Sequence, residues 1–136
     1  MDFIDIAKKH GLYVGAARFT QPGYVCLGQY RSGETAIEIL GEDGEPQATA
    51  SVALAPYGAR VTGPGYVWLK GWSENEGLPE ALVQAGIVRL TGRVHATGFV
   101  EALEAEVIGK AREVLACQRG ERARAGSDIS TAGAVA

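Results

Sequence analysis

Nineteen glycines are scattered through a chain of 136 residues, about twice the ~7% of average usage. They do not gather into a low-complexity run, so each interrupts a different segment. Glycine at this density means many turns, and many turns mean many short strands. The runs between the glycines alternate or carry brief helical patterns. The fold class that follows is α+β, a mostly antiparallel sheet of about five to six short strands. An N-terminal helix, a short helix after a Ser-Glu-Asn-Glu-Gly turn and a C-terminal helix complete it. Residues 1–118 are expected to form one domain long enough to bury a real core, and residues 119–136, rich in Gly, Ala, Ser and Arg, a weakly packed tail.

The stretch from Gly65 to Gly86 organises the rest. Val67 and Leu69 alternate with Tyr66, Trp68 and Lys70, the period of a strand. One face is aliphatic; the other carries the aromatics and the lysine, and reaches Trp72 if the strand continues through Gly71. Ser73 followed three residues later by Glu76 has the spacing of a capping box. Pro79 then decides the geometry. Inside a continuous helix from Ser73 it would lose a hydrogen bond and crowd the preceding turn, at a cost of about 3 kcal/mol. The residues therefore predict one capped turn over 73–77. A separate helix begins near Pro79 and ends at Ala85, with Gly86 as its left-handed terminator. Leu78, Ala81, Leu82 and Ala85 would dock that helix on the sheet.

Upstream, Asp2 to His10 reads as a short helix with Asp2 as its cap, Phe3, Ile6 and Ala7 on one face, and Lys8, Lys9 and His10 at its C-terminal end. Tyr24–Tyr30 and Thr35–Leu40 read as strands. Asp43-Gly44 marks a hairpin turn, and Pro46 can open the return strand. Ala48, Ala50, Val52 and Leu54 alternate with polar or small residues, which predicts one buried face. Residues 55–65 form a loop broken by Pro56, Gly58, Gly63, Pro64 and Gly65. Downstream, Ile87–Leu90 is a short strand and Gly92–Gly98 a turn-rich connector. Phe99–Val107 fits either a strand, with Phe99, Leu103, Ala105 and Val107 on one face, or a helix, with Val100, Leu103, Val107 and Ala111 on one face; the strand is the first reading. A final helix follows over about 109–119, with Ala111, Val114 and Leu115 facing inward.

The formal charge is −3. That is too mild for a nucleic-acid mimic and has the wrong sign for a nucleic-acid binder, so no nucleic-acid partner is expected. No apolar run approaches the ~20 residues of a membrane span, and the acidic start MDFIDIAKKH does not resemble a secretion signal. A cytoplasmic location is expected. Cys26 and Cys117 lack metal-ligand spacing and are expected as thiols rather than a disulfide.

Catalytic motifs are sparse. No metal, phosphate-loop or nucleophile-elbow spacing occurs, so no metal, cofactor or catalytic residue is assigned. His10 sits at a helix end. His95 lies in the connector beside Arg93; acting as a base it would need an orienting partner, and the sequence names none. Five acids, Glu34, Glu38, Glu42, Asp43 and Glu45, and no base lie between Arg31 and Arg60, an acidic hairpin that a basic partner could meet. Asn75 is not explained by helix capping. If exposed, Trp68, Lys70 and Trp72 combine rigid aromatics with a charge, the composition of a binding surface. The candidate binding residues are therefore Trp68, Lys70, Trp72, Glu74, Asn75, Glu76, Arg93 and His95.

The run VWLKGWSENEGLPEALVQAGIV, with TGRVHATGFVEA after it and AIEIL…GEPQATASVAL before it, resembles a family of small uncharacterised bacterial proteins. Its members are carried on phages, plasmids and integrated elements, often near anti-restriction genes. The resemblance covers roughly Glu34 to Ala102, and its most specific block is Lys70-Gly71-Trp72-Ser73-Glu74-Asn75-Glu76-Gly77. The family pattern has an acid after the lysine and no proline at the helix start; Gly71 and Pro79 depart from it. The resemblance implies a mobile-element origin and no agreed enzymatic activity. The function expected first is a non-enzymatic binding protein, an inhibitor occupying a host or defence protein. The alternatives are a small-molecule or nucleotide binder using the same polar groups, and a hydrolase using Glu74 or Glu76 with His95.

Overall fold

Short segments close into two sheets rather than one. The structure, a computed structural model, describes residues 3–118; the expected cap at Asp2 and the tail from 119 lie outside them. In chain order the elements are α1 (Phe3–His10), β1 (Tyr13–Val14), β2 (Gly23–Gln29), β3 (Thr35–Leu40), β4 (Pro46–Thr49) and β5 (Ser51–Val52). Then come β6 (Tyr66–Leu69), α2 (Leu78–Gln84), β7 (Val88–Thr97) and β8 (Val100–Val107), and α3 over 109–118. Single 3-10 turns cover Ala55–Tyr57 and Ser73–Asn75. The strands pair antiparallel in the orders β1-β2-β3-β4 and β5-β6-β8-β7. The α+β class holds, and the five to six strands expected are eight among the described residues, because two-residue strands give no readable alternation.

The chain crosses from one sheet to the other at a single residue, Ala50. Its N–H donates to the Ile37 carbonyl at 2.9 Å and its carbonyl accepts from the Lys70 N–H at 2.8 Å. One residue thus satisfies its main chain in both sheets. Ser51 completes the corner: its hydroxyl accepts the Ile37 N–H at 2.9 Å and lies 2.9 Å from the Tyr30 hydroxyl. The expected single face through 48, 50, 52 and 54 is therefore split. Ala50 enters the main core and Leu54 a second cluster.

The main core lies between the sheets. Val25, Ile37 and Ile39 come from the first, Val67, Leu69, Ala105 and Val107 from the second. Ala7 of α1, Leu78 and Leu82 of α2, and Ala111, Val114 and Leu115 of α3 join them, the last three as the spacing predicts. The expected docking face of α2 holds except at Ala85, which is exposed at the helix end. Cys26 is buried and Cys117 exposed, with no disulfide between them.

Residues 92–97, expected as a connector, continue β7. The pairing jumps from Leu90↔Ala105 to Val94↔Leu103, so Thr91, Gly92 and Arg93 together oppose Glu104 alone. This bulge absorbs the glycine, whose φ of 92° a side chain would resist. The turn itself is only Gly98-Phe99, between the paired residues Thr97 and Val100.

Candidate functional site

The Ser-Glu-Asn-Glu run does stand apart from the following helix. Ser73–Asn75 makes its own 3-10 turn, Gly77 takes a left-handed φ of 85°, and α2 opens with Pro79 in its first turn. The capping box does not form. Trp72 occupies the cap position without a side-chain bond, and Ser73 is held at a φ of 55°, an uncommon state for a residue with a Cβ. The Glu76 carboxylate instead accepts from the Arg18 guanidinium, while the Glu74 carbonyl accepts from the Thr20 hydroxyl. The run is thus tied sideways to the 15–22 loop.

Asn75 explains how the turn is held. It is 1% exposed, and its Nδ2 donates to the carbonyls of Thr49 at 2.8 Å and Lys70 at 3.3 Å. Those two residues flank the sheet crossing, so Asn75 pins the turn to the corner between the sheets. Its Oδ1 is buried without a hydrogen-bond partner. Asn75 is therefore an anchor rather than part of the outer surface, because the carbonyls freed where the strands diverge need a donor.

Trp68 is also withdrawn from the surface. It lies on the outer face of β6, as alternation predicts, yet it is 2% exposed. The loop over 53–65 folds across that face, packing Leu54 and Ala59 on Trp68 and Ala102. The indole N–H donates to the Ala59 carbonyl at 3.2 Å. The residue pairing with Trp68 on β8 is Glu104, fully buried and missed in the sequence because its neighbours read as a mixed strand-helix pattern.

Glu104 is gripped from three sides. The Thr62 N–H donates to it at 2.7 Å, the Thr91 hydroxyl at 2.7 Å and the Arg93 guanidinium at 2.6 Å. The bulge makes this possible: Thr91 and Arg93, two apart, both reach the one carboxylate. Arg93 also donates to the Arg60 carbonyl at 3.2 Å and lies 5.4 Å over the Trp68 ring. Burial alone would raise the Glu104 carboxyl; the bonds from Thr91 and Thr62, with the charge of Arg93, outweigh it and hold it below its ordinary value. Arg93 is thus part of a clasp that fastens the covering loop. A signal existed in the sequence only as Thr-Gly-Arg, which reads equally as a turn.

His95 packs at 5.9 Å from the Trp68 ring, and among the described residues no hydrogen bond joins it to Glu74 or Glu76. The hydrolase constellation is not assembled. No group of three or more metal-ligating side chains occurs among the described residues. Glu34, expected as part of an acidic tip, turns inward and accepts the N–H groups of Leu54 at 3.1 Å and Ala55 at 3.2 Å.

What is open lies one step further along the chain. Trp72 is only partly buried, and Phe99 at the tip of the β7–β8 hairpin is fully exposed. Both line an open groove of about 550 Å³, with Pro79 and Glu80 of α2 and Ala96, Glu101 and Leu103 of the hairpin. Among the described residues, the charged ones lining it are Glu80 and Glu101. Of the eight residues expected to form a surface, only Trp72 lines this groove. Lys70 is half-buried at the crossing and Glu74 and Glu76 sit on the solvent side of the turn. Phe99 was missed as a site residue because a lone aromatic opening a strand reads as core.

No protein-family model, curated protein or solved structure matches the chain.

Proposed function

We propose that this is a non-enzymatic binding protein whose working surface is the groove between the Trp72 turn and the β7–β8 hairpin. The observation that carries the reading is Phe99. A fully exposed phenylalanine leaves a large apolar surface in water at the mouth of a groove, beside a second partly open aromatic, Trp72. Rigid aromatics around a concave patch are what a protein partner's side chains fill. The reactive groups are engaged elsewhere: Glu76 with Arg18, Glu104 in the clasp, His95 against Trp68.

The resemblance to proteins of mobile elements supports a host or defence protein as the partner, and an inhibitor's mode of action by occupation. Contact in space supports the local comparison. A Cβ at Gly71 would fall 3.1 Å from the Pro79 side chain, so the two departures from the family pattern are neighbours and fit one another. The test is capture of partners from bacterial lysate by the tagged full chain, with identification by mass spectrometry. A specific partner retained by wild type and lost on Phe99→Ala with Trp72→Ala is expected. Retention by that double variant, with its fold intact by circular dichroism, would remove the groove from consideration.

A further inference from the structure

The groove has a main-chain wall as well as side chains. β6 ends at Leu69, paired with Leu103, while β8 begins at Val100. Three residues of β8, 100–102, therefore extend past the end of the neighbour on that side, paired only with β7. In an antiparallel ladder the N–H and C=O of one residue point to the same side, and successive residues alternate. The Val107 N–H donates to the Gly65 carbonyl at 2.8 Å, which fixes the odd-numbered residues of β8 as those facing β6. Leu103 is the last of them with a strand opposite. Glu101 is next, and the segment it faces by register, Gly71-Trp72, lies beyond the end of β6, whose last pair with β8 is Leu69↔Leu103. Among the described residues no main-chain bond joins Glu101 to that segment. Gly71, Glu101 and Leu103 all line the groove.

Resting on the binding reading above, we infer that the groove takes an extended segment of a partner protein by strand addition to β8 at Glu101. The segment carries an apolar side chain flanked by lysine or arginine. The main-chain N–H and C=O of Glu101 supply the pairing register, Trp72 and Phe99 receive the apolar side chain, and the acids of the groove, Glu80 and Glu101, receive the basic ones. A helix or a small planar ligand would leave that register unused.

The test has two stages on the full chain. Amide hydrogen exchange of the free protein should show the Glu101 N–H exchanging at least tenfold faster than those of Ala102 and Leu103. Protection of Glu101 in the free protein would overturn the strand-addition proposal and leave the groove reading standing. Phage-displayed random peptides are then selected on wild type, and the winners are compared on wild type and on the Trp72→Ala, Phe99→Ala double variant. The expected winners alternate basic and apolar residues and slow Glu101 exchange on binding. N-methylation of the paired peptide amide should weaken them tenfold or more, and Glu101→Lys should do likewise. Winners that keep their affinity when N-methylated, or that space their apolar residues three and four apart, would overturn strand addition alone. Peptides that bind wild type and double variant equally would overturn both readings.

Discussion

Two tryptophans four residues apart meet opposite fates. Trp68 belongs to a paired strand, and its outer face is covered by a loop fastened through Glu104. Trp72 stands where that strand has ended; it packs against the edge of the same cluster and stays only partly buried. The residue types are the same and the local sequence is continuous. What differs is whether a distant segment arrives on top. The covered region has a saturated carboxylate, an indole N–H with an acceptor, and a stacked guanidinium. The open region has an exposed Phe99, a partly buried Trp72 and, among the described residues, a strand edge with no paired neighbour. One has its polar groups satisfied within the fold, and the other leaves apolar surface and main-chain groups in solvent.

That contrast can be measured. Trp68→Ala should cost about 3–5 kcal/mol of stability, whereas Trp72→Ala should cost about 1 kcal/mol; urea unfolding of each variant checks the pair, and equal losses would erase the distinction. Glu104→Gln comes next, at about 2–3 kcal/mol, the weight of hydrogen bonds to a charged group, and it should speed proteolysis within 53–65. Its acid behaviour follows from the lowered carboxyl. In the folded chain Glu104 gives up its proton more readily than in the unfolded chain. Its stabilisation is thus complete above the ordinary value of 4.5 and is lost as pH falls through the folded value. Glu104→Gln should flatten that part of the stability–pH curve, measured by chemical denaturation at a series of acid pH values.

Asn75→Ala should cost about 1–2 kcal/mol, less than its burial suggests, because the change also removes the Oδ1 that lacks a partner. It should loosen the corner without emptying the groove, visible as faster amide exchange at Lys70 with unchanged exchange at Val94. Ser73→Gly is expected to have the smallest effect, a gain of about 0.5 kcal/mol, since relief of the left-handed strain is partly offset by the greater freedom of glycine when unfolded. A loss of similar size would mean that the serine side chain contributes more than its backbone costs.

Local chemistry made much of this legible. Pro79 separated the Ser-Glu-Asn-Glu run from α2, and Asp43-Gly44 marked its hairpin. The strict alternation of Val67, Trp68 and Leu69 gave the two faces of β6. The helical spacing of Ala111, Val114 and Leu115 located the last inward face. Each reading rests on contacts within a few residues, where the sequence neighbours are also the spatial neighbours.

The rest depends on separations too large for any local pattern to carry. Asn75 is buried because Thr49, 26 residues away, leaves a carbonyl at the sheet crossing. Trp68 is sealed because Thr62 reaches Glu104 across 42 residues. Gly92 sits in a strand because a bulge opposite Glu104 gives it room. The chain alone determined the hairpin at Asp43-Gly44, the break before α2 and the inward face of α3, since turn residues, proline and helical spacing act at short range. Only the tertiary structure decided which polar groups became anchors and which aromatics stayed in water, since burial is settled by whatever remote segment packs on top.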